Sequence, residues 1–110
     1  VVHVSGSASL DEALRIAPLV DALLLDSGRP NAAVKELGGT GRVHDWAISR
    51  AIIERAPRPV FLAGGLRAEN IAEAARRVEP FGFDVCSGVR AEGRLSEERL
   101  RALVAALAGA

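Results

Sequence analysis

The chain has 110 residues, one domain's worth, with 49% hydrophobic and 25% charged residues and 14 basic side chains against 14 acidic ones. Zero formal net charge, no basic block, and only Trp46, Phe61, Phe81 and Phe83 available to stack on bases argue against nucleic acid as a partner. No apolar run is long enough to cross a bilayer, so no membrane partner is expected, and the lone Cys86 can form no internal disulfide, which fits a reducing, cytoplasmic setting.

Metal chemistry is not expected either. His3, His44 and Cys86 show no ligand-like spacing. The chain opens at Val1, directly on a strand-like run and without a methionine, which suggests a piece of something longer.

In chain order, VVHVS (Val1 to Ser5) is rich in β-branched residues and reads as a strand. Ser9, with Glu12 three residues on, has the spacing of a capping box. Leu10, Ala13, Leu14 and Ala17 then repeat as one helical stripe, and Pro18 marks its end. DALLLD (Asp21 to Asp26) is a second short apolar run, of the kind buried on both faces in a parallel sheet. A long polar connection follows, with Gly38, Gly39 and Gly41, as functional loops often are. Asp45 is placed to cap the next helix, whose apolar face carries Trp46, Ile52 and Ile53.

Pro59 to Ala63 reads as the third strand, and Ile71, Ala74, Ala75 and Val78 as the stripe of the third helix. Phe83 to Cys86 is the fourth strand. The last helix starts near Ser96, with Leu100, Leu103, Val104 and Leu107 as its stripe. The order is βαβαβαβα, each strand ending in or just before a glycine: Gly6, Gly28, Gly64 and Gly88. Such alternation implies right-handed crossovers and a parallel sheet, with ligands at the carboxyl ends of the strands. Either a small flavodoxin-like open sheet or half of an eight-stranded barrel satisfies this pattern.

The stretch LAGGLRAEN, Leu62 to Asn70, concentrates the functional signal. A buried strand stops at Gly64 and Gly65 and a helix begins at once, which aims free N–H groups and the positive end of a helix dipole at one point. An anion suits that geometry, although paired glycines also close ordinary strand-to-helix turns. Asp26, at the end of its strand, is either a turn-capping residue beside Ser27 and Gly28 or an acid at a site. His3 could point into a barrel or sit as a core histidine, the second being favoured; Trp46 reads as core.

Four motifs, LLLDS, GGTGRVHDW, LAGGLRAEN and DVCSGVR, in this order and spacing, resemble the C-terminal half of the phosphoribosylanthranilate isomerase family. The resemblance covers nearly the whole chain. It implies a fold class of α/β, the C-terminal half of a (βα)8 TIM barrel, with residues 1–110 supplying strands five to eight as a single domain. The reaction it implies is an Amadori rearrangement in tryptophan biosynthesis. N-(5-phosphoribosyl)anthranilate opens its ribose ring and becomes 1-(2-carboxyphenylamino)-1-deoxyribulose 5-phosphate, with no cofactor.

On this resemblance Asp26 matches the general acid, its pKa needing to be raised by burial beneath the loop after it. Gly64, Gly65, Asp84, Ser87 and Gly88 match substrate phosphate positions, and Gly38, Gly39 and Gly41 belong to a mobile loop over the site. Lys35 and Arg42 read as surface charges, and His44 as a packing or capping residue.

Departures exist. The family's general base is a first-strand cysteine, absent here, and Cys86 replaces a serine of the eighth-strand motif. Arg90 stands where the family has a glutamate, which could add an anion contact. The implied partners are a small phosphorylated substrate and either the missing N-terminal half-barrel or a second copy, since open strand edges seek pairing. A phosphate-binding module without catalysis, and a different sugar-phosphate barrel enzyme, are the alternatives.

Overall fold

The computed structural model describes residues 1–27 and 40–110. Four strands, β1 (Val2–His3), β2 (Leu23–Asp26), β3 (Val60–Ala63) and β4 (Gly82–Asp84), form one sheet in the order β1-β2-β3-β4, every pair parallel. The helices α1 (Ala8–Ile16), α2 (Thr40–Arg55), α3 (Ile71–Val78) and α4 (Glu97–Ala108) alternate with them. Strand order decides between the two architectures. A flavodoxin-like sheet reverses direction at a switch point, whereas strands paired strictly in chain order with crossovers of one hand put every helix on the same face. Successive helices accordingly pack on one another, α1 on α2, α2 on α3 and α3 on α4. This is the plan of half a (βα)8 barrel.

Alternation along the strands gives the sheet two unlike faces. Val2, Val4, Leu23, Leu25, Val60 and Leu62 are buried beneath the helices with Ala13, Trp46, Ile52, Ala74 and Val78. The intervening positions line up across the other face. Leu24, Phe61 and Gly82 share one row; His3, Asp26, Ala63 and Asp84 share the next, nearer the carboxyl ends. The Phe61 ring lies over Gly82 and meets Phe81 edge-on, with centroids 5.3 Å apart.

Several local expectations are corrected. Ser7, not Ser9, is the N-cap of α1. Ser9 is buried inside the helix, accepting from the Ser5 N–H at 3.0 Å and donating to the His3 carbonyl at 3.2 Å. Its hydroxyl therefore ties β1 to α1, a tertiary use that the capping spacing cannot reveal. Pro18 falls within a 3-10 turn, Ala17–Leu19, that extends the helix. Helix α2 already begins at Thr40, so Asp45 is not its cap; Gly41, a poor helix former, disguises that first turn in the sequence. Strand β4 starts one residue earlier and ends two residues earlier than the run Phe83 to Cys86 suggests.

The β4-to-α4 connection holds structure that the helix–strand pattern omits. A 3-10 turn, Ser87–Val89, is followed by a hairpin of β5 (Arg90–Ala91) and β6 (Arg94–Leu95). Its turn residues Glu92 and Gly93 both have positive φ, 53° and 76°, as a type I′ turn requires. The hairpin delivers Ser96 as the N-cap of α4, its hydroxyl accepting from the Arg99 N–H at 3.2 Å. The α4 stripe is only partly covered: Leu103 is buried, while Leu100 stands at the surface and Val104 is 55% exposed.

Leu62 is fully buried at the centre of the sheet, in register with Leu25. Leu62→Ala is expected to lower unfolding stability by about 2–5 kcal/mol, read from the shift of the urea midpoint.

Candidate functional site

The carboxyl ends of β3 and β4 carry the site. After Ala63 the chain turns through Gly64 and Gly65 at φ of 102° and 65°, a left-handed path that side chains with a Cβ resist. Asn70 then holds the loop closed. Its Oδ1 accepts from the Arg67 N–H and its Nδ2 donates to the Gly65 carbonyl, both at 2.9 Å. The Arg67 carbonyl accepts from the Ile71 N–H at 2.9 Å, which leads the loop into α3. One side chain thus rigidifies the whole β3-to-α3 connection.

The turn after β4 packs against this loop at Gly88. A Cβ there would collide with the Leu66 carbonyl oxygen and lie 3.1 Å from the Arg67 Cα, so only glycine admits the contact. Backbone against backbone, the two turns enclose a cavity of about 400 Å³ lined by Gly65, Arg67, Glu69, Ser87, Gly88 and Arg99. In (βα)8 barrels the loops after strands seven and eight, with a short extra helix, are a recurrent phosphate site.

Three sequence-selected residues, Gly65, Ser87 and Gly88, meet in this cavity, with Gly64 one position outside its lining. Asp84 does not join them. It lies on β4 in register with Ala63 and borders a second, largely apolar groove of about 570 Å³ between β4 and α4. Asp26 ends β2 on the sheet face away from the helices, in the same row as Ala63 and Asp84. Its side chain is 34% exposed, with His3 Nδ1 at 3.8 Å from Oδ2. His3 is therefore not a core histidine: its side chain is 70% exposed and shares the open face with Asp26. The neighbouring Ser27 is buried, its hydroxyl donating to the Ala63 carbonyl at 3.1 Å, so it locks β2 to β3 below the site.

The loop proposed to cover the site falls largely outside the described residues, Gly38 and Gly39 among them with Lys35; Gly41 lies in the first turn of α2. Trp46 is core, as its place in the helical pattern suggests. Among the described residues no cluster of three or more His, Cys, Asp or Glu could hold a metal, and no helix is long and apolar enough to cross a membrane. Asn70 and Arg99 were not singled out from sequence. The Asn after RAE carried the only hint for the first; nothing local flags the second.

Taken together, these features define half of a (βα)8 barrel with a pocket of about 400 Å³ between the turns after its last two strands. The model of the N-(5'-phosphoribosyl)anthranilate (PRA) isomerase family matches residues 1–106. A curated relative, the N-(5'-phosphoribosyl)anthranilate isomerase of Haloferax volcanii, is 46% identical over 107 residues, covering 96% of this chain and 47% of its own length. The crystal structure of phosphoribosyl anthranilate isomerase from Thermotoga maritima superposes with a TM-score of 0.78 at 31% identity, covering 99% of this chain and 50% of that one. A phosphoribosyl anthranilate isomerase in complex with reduced 1-(o-carboxyphenylamino)-1-deoxyribulose 5-phosphate matches with a TM-score of 0.74 at 27% identity, over 99% of this chain and 47% of that one. The chain belongs to the phosphoribosylanthranilate isomerase family, and it spans about half the length of the curated relatives it matches.

Asn70→Ala removes both bonds that close the β3-to-α3 loop. It is expected to cost about 1–2 kcal/mol and to speed amide exchange at Arg67. Asn70→Asp, which keeps the acceptor for Arg67 but not the donor to Gly65, is expected to fall between, as measured by hydrogen exchange.

Proposed function

We propose that the chain is the C-terminal half, strands five to eight, of a barrel that isomerises N-(5-phosphoribosyl)anthranilate to 1-(2-carboxyphenylamino)-1-deoxyribulose 5-phosphate. The observation that carries this reading is the meeting of Gly65, Ser87 and Gly88 in one pocket, in a chain of this family. The substrate phosphate sits against the turns of Gly64, Gly65, Ser87 and Gly88, where backbone N–H groups and the Ser87 hydroxyl face it. Anchored there, the ribose reaches across the sheet ends towards Asp26. Two strand spacings, about 10 Å, separate the rows of β2 and β4, a span that suits a pentose phosphate.

Asp26, as general acid, donates a proton to the ring oxygen as the ring C–O bond breaks, leaving an open-chain imine. A base then takes the proton from the neighbouring carbon, and the resulting enolamine becomes the aminoketose when a proton is returned. The two proton transfers require acid and base on one substrate held by its phosphate. Asp84, outside the pocket, acts at most on the sugar side of the phosphate. By its likeness to the family, the base is a first-strand cysteine contributed by the other half, so the 110 residues alone bind phosphate esters weakly and do not isomerise.

The other half also closes the sheet. Among the described residues β1 and β4 have no strand on their outer sides, and Phe81, 73% exposed, lines the groove beside β4 with Leu100. The N-terminal half-barrel is the natural cover; in its absence a second copy substitutes.

Joined to an N-terminal half from a family member, the chain is expected to isomerise phosphoribosylanthranilate, and Asp26→Asn in that protein to lower kcat by about 100-fold or more with KM little changed. Turnover by the isolated 110 residues near that of an intact family enzyme would overturn the reading, and an inert Asp26→Asn would favour a non-catalytic phosphate-binding module. Light scattering of the isolated chain is expected to give dimers or larger species; a stable dilute monomer counts against the edge argument.

A further inference from the structure

Arg90 is the sequence's obvious candidate for an added anion contact, because it follows the Ser87–Val89 turn directly. Its side chain, however, does not line the pocket; Arg99 does. The hairpin explains the exchange. It carries the chain away from the site and back, and the Ser96 N–H bonds the Val89 carbonyl at 2.7 Å, so the first turn of α4 returns beside the turn after β4. Arg99 is therefore set in one pocket lining with Ser87 and Gly88 although ten or more residues lie between them in the chain.

The guanidinium is also held in place. Its Nη1 donates to the Arg90 carbonyl at 2.6 Å, leaving its other N–H groups unengaged among the described residues. By contrast Arg50, Arg77 and Arg101 are each paired with a carboxylate, Glu54 and Glu79, Glu73, and Glu97 respectively. Arg67 lines the pocket too, with a carboxylate, Glu69, two residues on in the same lining, whereas Arg99 brings its charge from α4.

Resting on the phosphate-pocket reading above, we infer that Arg99 is the cation of this pocket, and that it selects a phosphate dianion over an uncharged sugar. Backbone N–H groups provide direction for the anion's oxygens; Arg99 provides full positive charge and a forked pair of donors. The Arg90 carbonyl pre-orients that fork, so little side-chain freedom is lost when the anion arrives.

The test uses the 110-residue chain, labelled with nitrogen-15 and titrated with inorganic phosphate, ribose 5-phosphate and ribose. The first two are expected to shift the amides of Gly65, Ser87 and Gly88 saturably, and ribose to leave them in place. Arg99→Gln is expected to weaken the phosphate-dependent shifts by about tenfold, with Arg99→Lys recovering part of the loss. Arg101→Gln, which removes the same charge from the same helix outside the pocket, is expected to stay within about twofold of the parent. If Arg99→Gln binds as the parent does, or Arg90→Gln weakens binding as much as Arg99→Gln, the assignment of Arg99 is wrong while the pocket stands. If the folded parent chain gives no saturable shifts, the pocket reading fails and this inference with it. Should Arg99→Gln not fold, Arg99→Lys decides: affinity equal to the parent in both level and salt dependence also overturns the role of the fork.

Discussion

Strict pairing of four parallel strands in chain order is the constraint on which the rest depends. Because the crossovers share one hand, that order sends α1 to α4 to a single face and leaves the other face, bearing His3, Asp26, Phe61 and Asp84, without helices among the described residues. The same pairing brings all four carboxyl ends to one rim. A chemical group at the end of any strand is then a neighbour of the others, whatever their separation in sequence.

At that rim the closest approach is between two backbones. Gly88 rests on the Leu66 carbonyl, and Asn70 fixes the loop on which Leu66 stands. The pocket is consequently shaped by main-chain atoms, whose positions are set by hydrogen bonds and steric contact instead of by flexible side chains. A pocket with walls of this kind is preorganised. Arg99 reaches it from α4 because the hairpin of β5 and β6 folds the chain back.

The uncovered stripe of α4 and the exposed Phe81 belong to the same logic. In a closed barrel every strand has two neighbours and every helix has one on each side. Here, among the described residues, β1 and β4 have one each, and Phe81 beside β4 meets solvent. Half a barrel retains a core, because each βα unit packs on its successor, but keeps two surfaces shaped for neighbours.

Much of this was legible in the residues alone. Short apolar runs and a period of 3.6 located the four sheet strands and four helices, although DALLLD suggested burial on both faces where β2 alternates; the glycines after β3 and β4 marked turns that meet in the pocket; and four ordered motifs pointed to the family. Sequence could not choose between an open sheet and a half-barrel, because strand order is a relation between distant segments. It misassigned Ser9, whose spacing from Glu12 imitates a cap while its hydroxyl serves β1, and it placed His3 in a core that lies on the sheet's other face. It passed over Asn70 and Arg99 for the same reason. Identity, local propensity and face periodicity are written within a few residues of each position, whereas the company kept by Gly88, Leu66 and Arg99 exists only once four strands have paired and the chain has turned back on itself.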